Sequence, residues 1–506
     1  MLLHHRFIET AKKRPKKIAV HDIATEKELT YERMLIASLI LAKKFNRYNG
    51  KYLGIMVPTS AGCMLSSIAT LMSGKIPVMI NYSTGAIENA IYAQEKCSFK
   101  TIITSRKLLE KLNLKPIPGM ICLEDILPTI TIFDKLGAAL KAKGSVSSVI
   151  NKTAGGEQED VAAILFTSGS EKEPKAVQLM HKNILHNVDN IPELLNCTPE
   201  DTYLANLPLF HVFGLTVNFW HPLIMGATAV AYPNPLDYAI IGKLVKSYKI
   251  TIMAGTPAFY HGYCRRSKKG DYDSIRAAVS GADKLTQHIF DAFYKKHSVK
   301  ILEGYGTTET SPVISINRMD KHKVGSVGLP IRGAQVKIVD RETGEILPAN
   351  TEGKILAKGD MVMKGYLGDL EETSLRIRNG WYDTGDMGVI DEDGFIWHRG
   401  RLKRFVKVGG EMVSLVRVES VLETLLPEDT LCCVVDVPNP TKGAEIVAAI
   451  ATSEIDKREI IKKMAKELPS IAVPKEIHFM EEIPMMGSGK VNFREVERIC
   501  RNLQKE

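Results

Sequence analysis

Three hydroxyl side chains and a lysine follow one apolar run in the first third of the chain. The run Val161–Phe166 has the length and composition of a buried strand bounded by turn residues. The polar residues that follow it are Thr167, Ser168, Gly169, Ser170 and Lys175. Hydroxyls and exposed backbone amides after a strand suit a polyphosphate, and a lysine adds a positive charge. The usual phosphate-loop spelling with two glycines is absent, so a plain surface loop is an equal alternative on these residues alone.

A second strand pattern ends in a glycine-rich turn with an aromatic ring, hydroxyls and a carboxylate. The turn consists of Gly304, Tyr305, Gly306, Thr307, Thr308 and Glu309. An aromatic face beside a close backbone approach suits a purine ring. A hydroxyl suits a phosphate oxygen, and a carboxylate suits Mg²⁺. The turn therefore predicts a nucleotide site.

Three more motifs follow toward the carboxyl terminus. The segment 380–386 ends in Asp386, a residue that can accept hydrogen bonds from both hydroxyls of a ribose, and a basic turn at 400–411 contains Gly409 and Gly410. The loop 487–490 ends in Lys490. Each has a simpler explanation alone, since Asp386 can cap a turn and Lys490 can be a solvated side chain. The order of all five motifs is hard to attribute to chance.

Composition narrows the class of protein. The 506 residues are enough for two or more domains with large cores. The 8 cysteines are scattered without a CxxC pair, which argues against a disulfide framework or a structural zinc site and favours a reducing, cytoplasmic compartment. The first residues lack a signal-peptide pattern, and no apolar run reaches ~18 residues, so we expect no transmembrane helix.

The net charge of +9 is unevenly distributed. Residues 401–506 contain 17 basic and 17 acidic side chains, so the whole excess lies in residues 1–400. A basic large domain favours an anionic partner, which can be a nucleic acid, an anionic membrane or an acidic protein.

The order of apolar and polar residues predicts an α/β fold. Strand-like runs at 18–20, 52–57 and 76–80 alternate with helical patterns, the first of which begins after Thr30 as its cap. Further strands are predicted at 203–205, 228–231, 250–253 and 277–279. This rhythm is typical of parallel sheets covered by helices.

Residues 129–153 combine apolar side chains with lysines, and no acidic residue follows Asp134 until Glu157. A basic amphipathic segment of this kind can touch a membrane surface. We favour the alternative, a solvated linker that packs by its apolar side.

The motifs together resemble the signature motifs of the adenylate-forming superfamily, which contains acyl-CoA and acyl-carrier-protein synthetases, luciferases and peptide-synthetase adenylation domains. The resemblance extends from about Pro15 to Glu495 and rests on segments 167–175, 304–309, 382–386, 400–403 and 489–490. Segments 207–216, 232–238, 410–415 and 486–490 are especially similar to the acyl-carrier-protein synthetase half of a bacterial acyltransferase/synthetase fusion. The chain begins directly at the synthetase, so acyltransferase activity is not assumed for it, and a separate acyltransferase is left open as a partner.

The resemblance implies two domains and a two-step reaction. Residues 1–400 would form a large domain of mainly parallel sheets with packed helices and a small β subdomain. Residues 401–506 would form a mobile α+β domain that turns on a hinge near Lys403. A carboxylate and ATP would give an acyl-adenylate and pyrophosphate, and a thiol would then take the acyl group. No nucleic-acid partner is implied.

The resemblance also assigns roles to single residues. Lys490 would bridge the acid and the α-phosphate during adenylation only, and Glu309 would hold Mg²⁺. The phosphate contacts would come from Thr167, Ser168, Gly169, Ser170, Lys175 and Thr308. The adenosine contacts would come from Gly281, Ala282, Tyr305, Asp386 and Arg401. Gly409 and Gly410 would line the channel through which the thiol reaches the acyl-adenylate, where only a bare backbone lets a pantetheine arm pass.

The absence of an aspartate after Phe210 bears on the kind of acid that is activated. Members of the superfamily that activate amino acids usually have an aspartate after a phenylalanine, whereas this chain has Phe210-His211. The missing aspartate argues against an amino acid, and the apolar surroundings suit a fatty acid, which the enzyme would transfer to acyl carrier protein or, less readily, to coenzyme A. An aryl acid is the other alternative. His211 is either a gate of the acid pocket or a core histidine. The altered phosphate loop, with Glu171, Lys172 and Ala176, leaves open a weakly active homologue that binds nucleotide or acyl groups.

Overall fold

The computed structural model describes residues 1–167, 174–408, 411–427, 430–439, 443–452, 455–486 and 491–503. The amino-terminal elements are α1 (Leu3–Lys13), β1 (Ile18–Asp22), β2 (Lys27–Thr30), α2 (Tyr31–Phe45), β3 (Tyr52–Met56), α3 (Ala61–Met72), β4 (Ile76–Met79), α4 (Ala86–Cys97), β5 (Ile102–Thr104), α5 (Arg106–Lys111), β6 (Met120–Cys122), α6 (Leu123–Ile126), α7 (Ile132–Lys143), α8 (Val146–Ile150), β7 (Val161–Phe166) and β8 (Ala176–Met180).

The middle of the chain alternates again between helices and strands. Its elements are α9 (His181–Leu195), β9 (Thr202–Ala205), α10 (His221–Met225), β10 (Thr228–Ala231), α11 (Tyr238–Tyr248), β11 (Ile252–Gly255), α12 (Pro257–Arg266), β12 (Ala277–Ser280), α13 (Gln287–His297), β13 (Ile301–Gly306), β14 (Val313–Ile316) and β15 (Leu329–Pro330). A π-helical stretch, Gly214–Trp220, leads into α10, and a 3₁₀ turn, Thr308–Thr310, follows β13.

The remaining elements are mostly strands at first and mixed afterwards. They are β16 (Gln335–Val339), β17 (Gly353–Lys358), β18 (Gly365–Tyr366), α14 (Leu370–Arg376), β19 (Ile377–Arg378), β20 (Trp381–Ile390), β21 (Ile396–Arg401), β22 (Phe405–Val408), β23 (Glu411–Ser414), α15 (Leu415–Leu425), β24 (Cys432–Asn439), β25 (Gly443–Ile450), α16 (Lys457–Glu467), β26 (Glu476–Phe479) and α17 (Phe493–Leu503).

Two large sheets form the main body of the fold. One has nine strands in the order β15-β14-β13-β12-β11-β9-β10-β1-β2, and the other has seven in the order β18-β8-β7-β4-β3-β5-β6. The inner strands of both sheets run parallel, while β2, β8, β14, β15 and β18 pair antiparallel at the edges. This arrangement confirms the predicted α/β class with mainly parallel sheets.

Local signals account for many of the element boundaries. The hydroxyl of Thr30 accepts a hydrogen bond from the backbone N–H of Arg33 at 3.3 Å, which confirms Thr30 as the cap of α2. Strand β7 covers the predicted run 161–166. Strand β11 begins at Ile252, two residues later than the pattern predicted, because the preceding Ile250 is buried in the connection from α11 rather than in the ladder.

Smaller sheets occupy the rest of the chain. Strands β16, β17, β20, β19 and β21 form an antiparallel sheet, which is the predicted small β subdomain. Strands β22 and β23 form a hairpin, and β24, β25 and β26 form a three-stranded sheet. The carboxyl-terminal strands and helices form two apolar clusters of their own. All described members of these two clusters lie at position 406 or later.

Helix α7 corrects the prediction for residues 129–153. The buried side chains of α7 are Asp134, Ala138 and Ala142, whereas the large apolar side chains face solvent. Within α7 the large apolar side chains therefore do not pack, whereas Val149 of α8 is fully buried in the core. For α7 the linker interpretation was wrong because a helical pattern shows that two faces differ without showing which face is covered. No helix within the described ranges is long and apolar enough to cross a bilayer.

Candidate active site

Strands β13, β20 and β21 bring three of the predicted adenosine residues together. Strands β20 and β21 form an antiparallel hairpin whose register places Asp386 opposite Arg401. The hydroxyl of Tyr305, at the end of β13, donates a hydrogen bond to Oδ2 of Asp386 at 2.6 Å. Arg401 Nε lies 3.6 Å from the other oxygen, Oδ1. Tyr305 of β13 and Arg401 of β21 thus meet at the carboxylate of Asp386.

The environment of Asp386 keeps this carboxylate ionised. The residue is 2% exposed, and burial by itself would raise its pKa. His398, whose Nε2 lies 3.8 Å from Oδ2, together with Arg401 and the Tyr305 hydroxyl, outweighs that cost and lowers the pKa of Asp386 below its ordinary value. Burial, together with the nearby charge of Asp386 and the hydrogen bond to it, raises the pKa of the Tyr305 hydroxyl. The hydroxyl therefore keeps its proton and stays a hydrogen-bond donor.

One oxygen of this carboxylate is available to a ligand. Oδ1 of Asp386 is buried and has no hydrogen-bond partner in the part of the chain that the structure describes. A buried charged acceptor without a donor is costly, and a hydroxyl donor would remove that cost. The residues present therefore fit a ribose, whose hydroxyls are donors of the required kind.

The predicted metal ligand lies in a second polar cluster. Oε1 of the buried Glu309 accepts a hydrogen bond from the Tyr366 hydroxyl at 2.8 Å. The ring of Tyr366 lies 5.0 Å from Nζ of Lys175, which forms an ion pair with Glu372. Arg376 Nε also contacts Glu372, at 3.0 Å. The lysine of the phosphate loop and the candidate magnesium carboxylate are therefore linked through one tyrosine. A single carboxylate oxygen ligand of this kind suits Mg²⁺, which retains waters and binds phosphate oxygens as its other ligands.

The ends of the phosphate loop form a hairpin. The backbone N–H of Thr167 donates to the carbonyl of Lys175 at 3.1 Å, next to the last paired residues of β7 and β8. A cleft of about 450 Å³ opens beside Lys175. The described residues that line it are Tyr92, Lys96, Pro174, Lys175, Ala176, Tyr366, Leu367 and Asp369. Two lysines, and no acidic residue other than Asp369, line a cleft of a size suited to phosphates.

Close backbone packing shapes the turn that holds Glu309. A Cβ on Gly306 would lie 1.7 Å from the carbonyl oxygen of Pro312, so only glycine fits there. Asn187 of α9 is fully buried beneath the turn. Its side-chain oxygen accepts from the N–H of Val313 at 2.8 Å, and its amide donates to the carbonyl of Thr310 at 3.2 Å. One helix side chain thus holds the carboxyl-terminal side of the turn at two points.

The loop after β12 contains the predicted adenine-edge residues. Gly281 lies close to Phe213, and Ala282 adopts a left-handed φ of 73°. The N–H of Leu285 donates to Oε1 of Glu303 at 3.0 Å, so a buried glutamate of β13 anchors this loop. Burial raises the pKa of Glu303 to about 7, against its ordinary value of 4.5.

The predicted acid side of the site is apolar. Half-buried His211 lies with its ring centroid 4.6 Å from that of Phe210, which packs in turn against Tyr82 at 4.8 Å. A small cavity of about 20 Å³ lies beside Phe213 and has only apolar lining. Its lining residues are Ile191, Leu194, Leu195, Phe213, Val217, Val279, Val313 and Ile316. No carboxylate is among the described residues that line this cavity.

The structure also shows where four further predicted residues lie. Thr307 caps the 3₁₀ turn through Thr310, and Thr308 is half-buried at its start. Gly304 belongs to β13, and Lys403 lies in a 3₁₀ turn after β21. The residues that lie outside the described ranges are Ser168, Gly169, Ser170, Glu171, Lys172, Gly409, Gly410 and Lys490. Their predicted roles stay predictions.

Sequence reasoning missed the residues that support the site. Tyr366 contacts Glu309 across 57 positions and Glu372 contacts Lys175 across 197, while His398 contacts Asp386 across only 12. His398 had a weak signal in the sequence. It lies on β21 shortly before Arg401, and the register of the β20–β21 hairpin, in which Arg401 is opposite Asp386, brings this part of β21 close to Asp386. Asn187 also had a signal, since an asparagine four residues after Asn183 places two amides on one helix face.

The fold and the site define an adenylate-forming enzyme, the class in which a carboxylate is activated with ATP. The chain belongs to the AMP-binding enzyme family, whose sequence profile matches residues 7–367. The profile of the AMP-binding enzyme C-terminal domain matches residues 417–490.

Relatives and solved structures agree with this family. The chain is 29% identical to a long-chain-fatty-acid–CoA ligase of Bacillus subtilis over 92% of its length and 89% of that protein. It is 29% identical to 4-coumarate–CoA ligase 2 of Petroselinum crispum over 97% and 92%. The structure of ATP-bound MatB from Rhodopseudomonas palustris superposes with a TM-score of 0.85 at 24% identity, covering 99% and 100% of the two chains. At that identity the likeness concerns the fold.

Replacing Asn187 tests the buried support of the Glu309 turn. Asn187→Ala leaves the Val313 N–H buried without an acceptor, and we expect the free energy of unfolding to fall by about 1–3 kcal/mol, as measured by urea denaturation. Asn190→Ala is the matched control, since Asn190 is also buried on α9 but donates only to His186 within the same helix. An equal loss in both variants would contradict the proposed support.

Glu303 gives a pH-dependent prediction. Because its pKa is raised on folding, the folded state binds this proton more tightly, and the free energy of unfolding falls as the pH rises from 4.5 to about 7. Glu303→Gln keeps an acceptor for Leu285 but cannot ionise. We expect the variant to gain up to about 3 kcal/mol relative to wild type between pH 4.5 and 8, since one pKa unit corresponds to about 1.4 kcal/mol. Parallel stability–pH curves would show that Glu303 does not titrate in this range.

Proposed function

We propose that the chain is an AMP-forming acid–thiol ligase that activates a fatty acid and transfers the acyl group to a thiol. The observation that carries this proposal is the buried Asp386 carboxylate, which is ionised and has one oxygen without a donor, at the edge where Tyr305 and Arg401 meet. A ribose at this point would place the nucleotide phosphates toward the Glu309 turn and Lys175.

The first step is attack of a carboxylate oxygen on the α-phosphate of ATP. The new O–P bond forms as the bond to pyrophosphate breaks, so the leaving group takes the electron pair and AMP stays on the acid. Both reactants are anions, and the step needs fixed positive charge and hydrogen-bond donors around the phosphorus. In this proposal Lys490 bridges acid and α-phosphate, Thr167 and Thr308 contact phosphate oxygens, and Glu309 holds Mg²⁺, which would neutralise phosphate charge.

A fatty acid is the substrate that the apolar acid side favours. The lining beside Phe213 has no charged group, so it offers nothing to pair with an α-amine. Burying an alkyl chain there would contribute about 0.8 kcal/mol per methylene group. The cavity is small, so the acid must displace side chains to enter. The B. subtilis relative named for long-chain fatty acids supports this choice, and the 4-coumarate ligases support an aryl acid as the second candidate.

The thiol acceptor in this proposal is the pantetheine arm of acyl carrier protein. The support is the excess positive charge of residues 1–400, which suits an acidic partner. The names of the relatives favour coenzyme A as the acceptor instead. Gly409 and Gly410 would line the access channel in either case. The same proposal has three further parts. A separate acyltransferase uses the product. The enzyme is cytoplasmic and makes peripheral contact with a membrane.

The second step needs movement of the carboxyl-terminal domain, which we place at residues 401–506 with a hinge near Lys403. The side chain of Arg404 supports this hinge because its contacts lie within the carboxyl-terminal segment. It donates to the carbonyl of Val434 at 2.7 Å, pairs with Glu419 at 2.8 Å and lies 4.0 Å from the ring of Phe493. A rigid unit that begins at Arg404 leaves the turn before it to rotate.

Separating the half-reactions tests the two-step assignment. We expect Lys490→Ala to reduce adenylation, measured as fatty-acid-dependent pyrophosphate release, by at least about a hundredfold, since its charge acts on the α-phosphate. Thioester formation from supplied acyl-AMP should stay near the wild-type rate. The matched control is Lys475→Ala, an exposed lysine of the same domain. Loss of both half-reactions together in Lys490→Ala would contradict the assignment.

A side-by-side assay identifies the acceptor. Labelled oleate and ATP are supplied with holo-acyl carrier protein or with coenzyme A, and the thioester is quantified in each case. We expect the higher kcat/KM with the carrier protein and a fall in its rate as salt rises, because an acidic protein approaches a basic surface. A higher kcat/KM with coenzyme A would identify coenzyme A, and not the carrier protein, as the acceptor. If neither acceptor gives a thioester with oleate but one does with 4-coumarate, the substrate is an aryl acid and not a fatty acid.

A further inference from the structure

Helix α7 is amphipathic in the reverse sense from a helix that covers a core. The side chains at 134, 138 and 142, one turn apart, are a carboxylate and two alanines, and all three are buried. The opposite side presents Phe133, Leu136 and Leu140 at helical spacing, with Ile132 at the end. The small residues therefore face the protein and the large apolar residues face solvent.

The helix is held firmly in this orientation. Asp134 forms a capping box with Thr131 at the start of α7. Its oxygens also contact Nζ of Lys43 at 2.8 Å and Nζ of Lys44 at 3.1 Å. At the other end, Lys12 donates to the carbonyl of Ala142 at 2.7 Å. Because both ends are tied to α1 and α2, the helix cannot turn its apolar side inward without breaking these bonds.

The apolar side chains protrude instead of lining a groove. Phe133 is 80% exposed and Leu140 is 69% exposed, and Leu127 just before the helix is also exposed. No residue within the described ranges covers them. A cluster of large apolar side chains held in water marks a surface that meets another phase or partner.

Positive charge surrounds this apolar surface. The exposed lysines of the same segment are Lys135, Lys141, Lys143 and Lys152, whereas Lys43 is paired with Asp134. The acidic residues of the same region are already paired, since Asp134 contacts the two lysines of α2 and Asp125 pairs with Arg106. A second copy of the chain on this face would bring lysine against lysine. Protruding apolar side chains between lysines match an anionic lipid surface, into which such a helix inserts its apolar face while the lysines contact the headgroups.

We propose that α7 docks the enzyme on anionic lipid bilayers by inserting Phe133, Leu136 and Leu140 among the acyl chains, with the surrounding lysines on the headgroups. This surface shares no residue with the phosphate and adenosine contacts, so the proposal does not depend on the ligase activity.

Vesicle co-sedimentation of the full chain tests the proposal. Wild type should bind vesicles of phosphatidylcholine and phosphatidylglycerol, and should bind pure phosphatidylcholine vesicles several-fold more weakly because the lysines lose their partners. The triple variant Phe133→Ser, Leu136→Ser, Leu140→Ser should lose at least about tenfold in vesicle affinity, since three apolar side chains no longer insert. The control is Ile346→Ser, which removes a 69% exposed apolar side chain elsewhere.

Charge variants and a solution measurement complete the test. Lys135→Gln with Lys141→Gln should weaken binding to anionic vesicles, while Lys462→Gln with Lys466→Gln on the exposed side of α16 should not. Circular dichroism checks that each variant is folded. Equal vesicle binding by wild type and the triple variant, or no binding by wild type, overturns the proposal. A wild-type dimer in light scattering that the triple variant abolishes overturns it in favour of a protein interface.

Discussion

A carboxylate that is 2% exposed must be compensated by its neighbours, and Asp386 is compensated from three directions. The Tyr305 hydroxyl comes from the end of β13, His398 and Arg401 come from β21, and the backbone register of the β20–β21 hairpin sets the distance between them. The carboxylate therefore fastens the antiparallel sheet to the nine-stranded sheet. Its other oxygen has no hydrogen-bond partner among the described residues, and we propose that it accepts from a ribose hydroxyl, so that one carboxylate would serve both the fold and the nucleotide site.

A second constraint acts on the phosphate side. The two sides of the Glu309 turn approach each other so closely that residue 306 must be glycine, and Asn187 satisfies two peptide groups after Glu309, those of Thr310 and Val313. Tyr366 then connects Glu309 with Lys175. Positioned charge is effective in catalysis because it does not have to reorganise during the reaction. The buried scaffold under the turn provides that fixed position.

The sequence predicted what local patterns and motifs determine. The strand before Thr167, the cap at Thr30 and the α/β class follow from spacing and residue type, and the motif residues Asp386 and Arg401 do meet in the fold. Tyr366 and Glu372 could not be predicted, because they contact Glu309 and Lys175 across 57 and 197 positions, whereas His398 had a weak signal from its place on the same hairpin as Asp386. Helix α7 shows the limit most clearly. Its periodicity was visible, but the Asp134 contacts that turn its apolar face outward depend on where α2 lies.

The central claim is that the acid attacks the α-phosphate of ATP at the site between Asp386 and Glu309. The most direct measurement supplies palmitate labelled with ¹⁸O in its carboxylate, together with ATP and the thiol acceptor, and analyses the nucleotide product by mass spectrometry. The account predicts AMP that contains one ¹⁸O from the acid, because thiolysis of the acyl-adenylate leaves that oxygen on phosphorus. Formation of ADP with labelled phosphate, or of AMP without label, would contradict it.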